Sequence, residues 1–336
     1  MHTGNSQKLE HLVDDLESCL ENAPASALNW KRADVPAALL RKSTLNELLR
    51  IAITDWLWIA TFLILMWNVP QNWMPVFMIL VAGRIHGLGV VLHDATHLPL
   101  RGKNGRVRLL ELLSGFPVGS TLNAMRYHHI RHHRDSGMMS DPYFIAGLRG
   151  RPWMYALVWL RHIMLAPFWI FRSFYGILAS VASPLRNSYA KLFLMDGTEN
   201  PGESREVREC AREEKYQAAF FSIVFFLTWM WPTELLLSYW IPLTVAGLFA
   251  GYRLLAEHNY LRRNDRSVSS IVSTTRDHSL GPVSKLFLAP HNVGYHLIHH
   301  IHPQVGILHL PALRKWYRER YPDEYPEPLG GSLGTI

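Results

Sequence analysis

Residues 51–83 read IAITDWLWIATFLILMWNVPQNWMPVFMILVAG, thirty-three positions without a lysine or arginine. A helix needs about 20 apolar residues to cross the hydrocarbon core of a bilayer, so this stretch is long enough to cross twice. It holds its own turn at Asn68-Val-Pro-Gln-Asn72. A second cation-free window, Gln217–Tyr252, turns between Pro232 and Tyr239. The pattern predicts an all-α integral membrane protein with four transmembrane helices in two hairpins, the spans at about 51–70, 73–92, 217–235 and 238–257. Neither turn carries a Lys or Arg, whereas every segment between and around the windows does. The positive-inside rule therefore places both turns outside the cytosol, and both termini and the intervening segments inside it, at the inner (cytoplasmic) membrane. Trp56, Trp58, Trp67, Trp73, Trp229, Trp231 and Trp240 fall near the predicted span ends, where interfacial aromatic residues belong.

The competing reading is a pair of buried hairpins in a soluble protein. Composition weighs against it. Hydrophobic residues make up 49% of the 336 residues and charged ones 18%, yet the mean hydropathy is only +0.01, because apolar and charged residues are segregated into blocks. The start of the chain is acidic (Asp14, Asp15, Glu17, Glu21) rather than basic, so the first hairpin reads as a resident span and not a signal peptide. Cys19 and Cys210 cannot build a disulfide framework and form no C-x-x-C. The net charge of +7 and pI near 9.4 suit nucleic acid, anionic lipid or an acidic protein. Because the basic residues are interleaved with histidines beside membrane spans, lipid headgroups are the nearer partner and nucleic acid is not expected.

Three regions follow: a cytosolic N-terminal region over 1–50, a membrane domain over 51–320, and a tail over 321–336 without periodicity that should be mobile. Within the domain, Pro152–Ser183 is apolar but interrupted by Arg161, His162 and Arg172. It reads as helices lying in the cytosolic interface, with Trp153, Trp159, Trp169 and Phe171 at headgroup depth, and a third hairpin is the alternative. Asn200–Lys215 reads as a solvated charge run.

Eighteen histidines against eight lysines are the second anomaly. Box one, His93-Asp-Ala-Thr-His97, follows the second span, and its i, i+4 spacing puts both rings on one helix face. Box two, His128-His129-Ile-Arg-His132-His133, holds an H-x-x-H-H core at His129, His132 and His133. Box three repeats that spacing at His296, His299 and His300, preceded by His291. His258 ends the fourth span. Together these make nine imidazoles on the side that the charge argument assigns to the cytosol, a helical cap carrying the histidine boxes. Nine are too many for one tetrahedral zinc and suit two metal ions with four or five ligands each. Imidazole serves iron, copper, zinc and nickel alike, so ligand type does not name the metal. Asp94, Asp141 and Glu257 are placed to accept hydrogen bonds from the rings and fix their tautomers. His128 and His291 lie just outside the H-x-x-H-H cores. His162, His278 and His309 fit no box.

Other motifs are weak. Asp94 stands where the zinc proteases need a glutamate. Gly330-Gly-Ser332-Leu-Gly334 matches G-x-S-x-G by letter only, in a tail without the strand-turn-helix context. There is no Walker A and no G-x-G-x-x-G, so no nucleotide or flavin site is evident. A histidine-rich transporter or metal sensor would want ionisable residues at mid-membrane, and the spans hold Asp55, Glu234, Arg84 and Arg253 only towards their ends.

The three boxes, His258 in Ala-Glu-His-Asn, and the stretch Ile301-His-Pro303 to Leu310-Pro-Ala-Leu313 resemble the membrane fatty acid desaturase and hydroxylase superfamily over about residues 80–320. The resemblance implies four spans, a non-haem centre of two iron ions held by these nine histidines, and O2-dependent oxidation of an unactivated C–H bond. It implies in particular a desaturase placing a double bond in an aliphatic, fatty acyl or lipid substrate. The alternative is a hydroxylase of a carotenoid, lipid or small amino-acid derivative using the same centre. The short H-x-x-x-H form of box one, Leu297-Ile298 before the final pair, and the Trp30…Pro36…Leu40 region look closest to a bacterial branch that includes the desaturase of the amino-acid toxin rhizobitoxine. With no flavin motif and no fused cytochrome domain signature, electrons are expected from a separate donor, a small acidic ferredoxin docking on the basic cytosolic face.

Overall fold

The computed structural model describes residues 28, 30–99 and 102–329. The acidic start, Cys19 and the 330–334 motif lie outside the described residues. Within them the chain is helical, with no strand and two isolated bridges, His258 with Thr275 and His278 with Leu329.

The first α-helix among the described residues, α1, spans Leu45–Asn68 and starts on a capping box: Thr44 accepts from the Glu47 amide and the Glu47 carboxylate accepts from the Thr44 amide. Pro70 and the turn Gln71–Trp73 then lead into α2, Met74–Ala95. Box one sits at the end of α2 and the turn that follows it. Box two lies on α3, Leu122–Asp135, whose N-terminus is capped by Thr121. The apolar middle forms α4, Pro152–Leu160, then a tight turn and α5, Leu165–Val181. After α6, Leu185–Phe193, come α7, Arg205–Met230, and α8, Ile241–Glu257. The last helices are α9, Val268–Thr274, α10, His296–Ile301, which is box three, and α11, Leu310–Arg320.

Among the described residues, four helical stretches are long and apolar enough to cross a membrane: Leu45–Asn68, Gln71–Ala95, Pro152–Val181 and Pro232–Glu257. Three match predicted spans in place. The fourth is Pro152–Val181, which the sequence reading places in the cytosolic interface, and the expected span over 217–235 is not among the four. Pro152–Val181 is discounted in sequence because arginine interrupts it, but Arg172 does not face outward. Its Nε lies 2.8 Å from Glu214 Oε1 of α7, and both side chains are fully buried. Helix α7 begins twelve residues before the predicted span and carries its charges in the same helix as its apolar end. It also stops earlier, at Met230. Pro232 disfavours helical backbone at Trp231, which adopts φ −133° and ψ 67°.

Helix α2 is central. Its apolar window is 61% buried, against 22–28% for the other three, and it packs on α1 and α8 while α5 packs on α7. Apolar side chains such as Leu57, Ile64, Phe171 and Trp229 stay exposed on the outer helices, as lipid-facing surfaces require.

The expected loose tail is ordered as far as the description reaches. Tyr321 and Tyr325 are buried, and their rings stack on Trp30 at centroid distances of 5.7 and 5.5 Å. The four-residue spacing of the two tyrosines, not a periodic run, is what lets them share that partner.

Candidate metal centre

The ends of α2 and α8 meet the box helices α3 and α10 at one level, and the nine boxed and span-end imidazoles come together there in two groups. The first contains His93, His129, His133 and His299, the second His132, His258, His296 and His300, and within each group one ring nitrogen per residue lies within 4.8 Å of all the others. His97 stands at the first group, its Nε2 3.0 Å from His129 Nε2.

The partition follows from helical geometry. In H-x-x-H-H the i and i+4 rings point the same way and the i+3 ring diverges from them. Box two sends His129 and His133 to the first group and His132 to the second. Box three does the reverse, with His296 and His300 in the second group and His299 in the first. His258 needs a different device, because α8 ends at Glu257 and His258 is extended, at φ −126° and ψ 145°. The segment after α9 holds it there: Asn259 N–H donates to Thr274 O and Arg276 N–H to Glu257 O.

The donor set fits metal ions. His129 Nε2 lies 3.0 Å from His97 Nε2 and 2.9 Å from His133 Nε2, which lies 3.1 Å from His299 Nε2. A neutral imidazole has one N–H, so a ring that accepts at Nε2 carries its proton on Nδ1. The Nδ1 atoms of His129, His133, His299 and His300 are buried without a hydrogen-bond partner, as are both nitrogens of His93 and of His296. His129 Nε2 and His133 Nε2 each face two other imidazole nitrogens, which single protons cannot all pair, whereas lone pairs converging on a cation suit that arrangement. Burial, followed by the neighbouring imidazoles, holds His129, His133, His258, His296, His299 and His300 well below the usual histidine range, and burial brings His97 down to about 4. Burial thus favours the neutral form of these seven rings, the form that ligates.

The supporting residues divide. Asp141 Oδ1 accepts from His132 Nδ1 at 2.8 Å, which fixes the tautomer and leaves Nε2 facing His300 Nε2 at 3.2 Å. Glu257 reaches a box ring other than its neighbour His258: Oε1 lies 3.5 Å from His296 Nδ1, 3.4 Å from His278 Nε2 and 2.7 Å from Arg253 Nε. Asp94 accepts from Ser43 Oγ instead of an imidazole, since adjacent helical residues diverge by about 100°. His128 pairs with the Tyr143 hydroxyl at 2.6 Å and His291 with Asp55 Oδ2 at 2.7 Å, so neither joins a group. Of the histidines outside the boxes, His162 donates from Nδ1 to Val158 O, His278 backs Glu257, and His309 is half-buried outside both groups.

Sequence reasoning passes over Asp277. It is buried, accepts from the Leu297 amide at the start of α10, and takes Arg314 Nε at 2.6 Å and Tyr325 OH at 2.7 Å, which anchors box three to the C-terminal segment. Only an acidic residue in an otherwise basic stretch signals it.

Beside the centre lies a cavity of about 450 Å³ whose lining includes His93, Tyr143 and Glu257 at one end and Ile85, Val118 and Leu243 further along. A helical membrane protein with paired polyhistidine groups, one of which reaches a largely apolar cavity through His93, is the class defined by this fold and site. The family model described as fatty acid desaturase matches residues 71–328, and the chain belongs to that family, whose members are oxidoreductases. No curated protein matches the chain.

Proposed function

We propose that the protein is an O2-dependent desaturase that introduces a double bond into an aliphatic, fatty acyl or lipid substrate at a centre of two iron ions. His93, His97, His129, His133 and His299 would hold one ion, and His132, His258, His296 and His300 the other. Bound there, the irons supply the redox chemistry with O2 that an unactivated C–H bond requires and that no side chain can provide. The observation that supports this reading is the pair of imidazole groups beside a cavity of about 450 Å³ that His93 of the first group lines.

The chain's own residues do the rest. Ile85, Val118, Leu243 and Ala246 line the cavity and exclude water from the reacting segment. Helices α2 and α8 position that segment along the axis leading to His93, and positioning decides which carbon reacts. Asp141 holds the His132 proton on Nδ1, away from the centre. Electrons come from a separate donor, a ferredoxin. The centre and both termini face the cytosol, in agreement with the charge distribution, and the protein sits in the inner membrane. The small-molecule chemistry of the rhizobitoxine branch and hydroxylation remain the alternative substrate and outcome.

The test is lipid and metabolite profiling of a host expressing the chain with and without His299→Ala, alongside elemental analysis. Two irons per chain and a new unsaturated product, both lost in the variant, are expected. One zinc and no iron would refute the proposal, and a hydroxylated product would select the alternative.

A further inference from the structure

From Val81 to Leu98 every residue is buried except Arg84, Gly89 and His97. Arg84 reaches Asp55 and His97 joins the imidazoles. Gly89 has no side chain to account for its exposure. Glycine is also the poorest helix former after proline, so a mid-helix glycine calls for a reason. Two neighbours have an obvious one. A Cβ on Gly83 would lie 2.6 Å from Leu286 O, and a Cβ on Gly87 would lie 2.7 Å from Asp55 Oδ2 and 2.9 Å from His291 Nε2. Those glycines admit close packing. A Cβ on Gly89 would meet nothing nearer than Val118 Cγ1 at 4.0 Å.

The space at Gly89 belongs to the cavity. Ile85, Gly89 and His93 follow at four-residue steps, form one stripe of α2, and all line it, as does Val118 opposite. Gly89 lies just over one helical turn, about 6 Å along the axis, from His93. We infer that Gly89 is a specificity-determining residue: the aliphatic substrate lies against its Cα, and the missing side chain sets the width of the passage just beyond the reacting carbon. This rests on the reading of the cavity as the substrate room.

The experiment compares wild type with Gly89→Ala and Gly89→Leu, metal-loaded in lipid nanodiscs. The probe is a stearic acid analogue carrying a photoactivatable diazirine in mid-chain. Metal content, Tm, photolabelling and turnover are read in parallel. In both variants metal content is expected to match wild type. The Tm of Gly89→Ala should equal or exceed that of wild type, because alanine is the better helix former and meets no clash. Labelling of cavity residues should fall in the order Gly, Ala, Leu, and by at least about tenfold for leucine, since single methylenes already discriminate by roughly 10- to 200-fold in apolar pockets. Wild-type labelling of Gly89→Leu, loss of Tm or metal in Gly89→Ala, or absence of labelling in wild type would each overturn the inference. If the graded labelling is seen while wild type forms no unsaturated or hydroxylated lipid with O2 and reductant, the proposed function fails and the role of Gly89 in binding stands.

Discussion

Asp141→Asn separates a metal centre from a cluster of merely buried histidines. The carboxylate takes three donors: His132 Nδ1 at 2.8 Å and the Tyr143 amide at 2.8 Å on Oδ1, and the Gly137 amide at 3.1 Å on Oδ2. Asparagine keeps the shape but offers only one acceptor oxygen. If that oxygen faces His132 and Tyr143, the new NH2 faces the Gly137 N–H, and if it is flipped, the NH2 faces His132 Nδ1–H. In the first case the Gly137 amide loses its partner and the shell that holds Asp141 loosens; in the second, His132 and Tyr143 lose theirs, and His132 is freed to move its proton to Nε2, the nitrogen that faces the second group. Partners of this kind typically change metal affinity by 10–100-fold, or about 1.4–2.7 kcal/mol. Anaerobic titration of the apoprotein with ferrous iron measures it. The control is Asp135→Asn at the end of the same helix, whose carboxylate takes Arg134 and Arg266 and no imidazole. It should leave affinity within about twofold, since pairs involving such exposed arginines are worth roughly 0–1 kcal/mol. Wild-type iron affinity in Asp141→Asn, or an equal loss in both variants, would refute the reasoning.

His258→Ala removes one of the four rings of the second group and should lower iron binding by about 10–100-fold or more, while His162→Ala should keep wild-type iron content; equal content in the two would remove His258 from the centre. Chelation of bound metal should lower Tm, because any ligand bound only by the folded state stabilises it, and a scan of the holo- and apoprotein reads this directly. Arg172→Met strands Glu214 in the interior and should cost about 3–5 kcal/mol, whereas Arg172→Met with Glu214→Leu should recover most of that loss in a denaturation series. Trp30→Ala should cost about 3–5 kcal/mol by opening the stack with Tyr317, Tyr321 and Tyr325, and a Tm equal to wild type would contradict the packed C-terminal segment.

Much of this was legible in the sequence, for identifiable reasons. The first two helices and the last apolar one show as long cation-free runs, and the histidine boxes show as fixed spacings on helices. What sequence alone conceals is pairing across the chain. Arg172 looks like a solvent-seeking charge until Glu214, forty-two residues later, is seen beside it, and so the apolar helix Pro152–Val181 is read as interfacial. Tyr321 and Tyr325 look like part of a loose tail until Trp30, nearly 300 residues earlier, supplies their partner. Asp94 is adjacent to a box histidine in sequence and yet serves Ser43, whereas Asp141, nine residues from His132, reaches its ring.

Each H-x-x-H-H helix feeds both imidazole groups, two rings to one and a single ring to the other. Such a helix acts as a yoke. A shift of α3 that tightened His129 and His133 around one ion would carry His132 with it, and α10 couples the same two places with the loads exchanged. The two places therefore share one mechanical degree of freedom, and an ion at either holds the yoke where the other needs it. Thermodynamic linkage would make that assistance mutual, so the two proposed ions should load together, with little of the half-filled form.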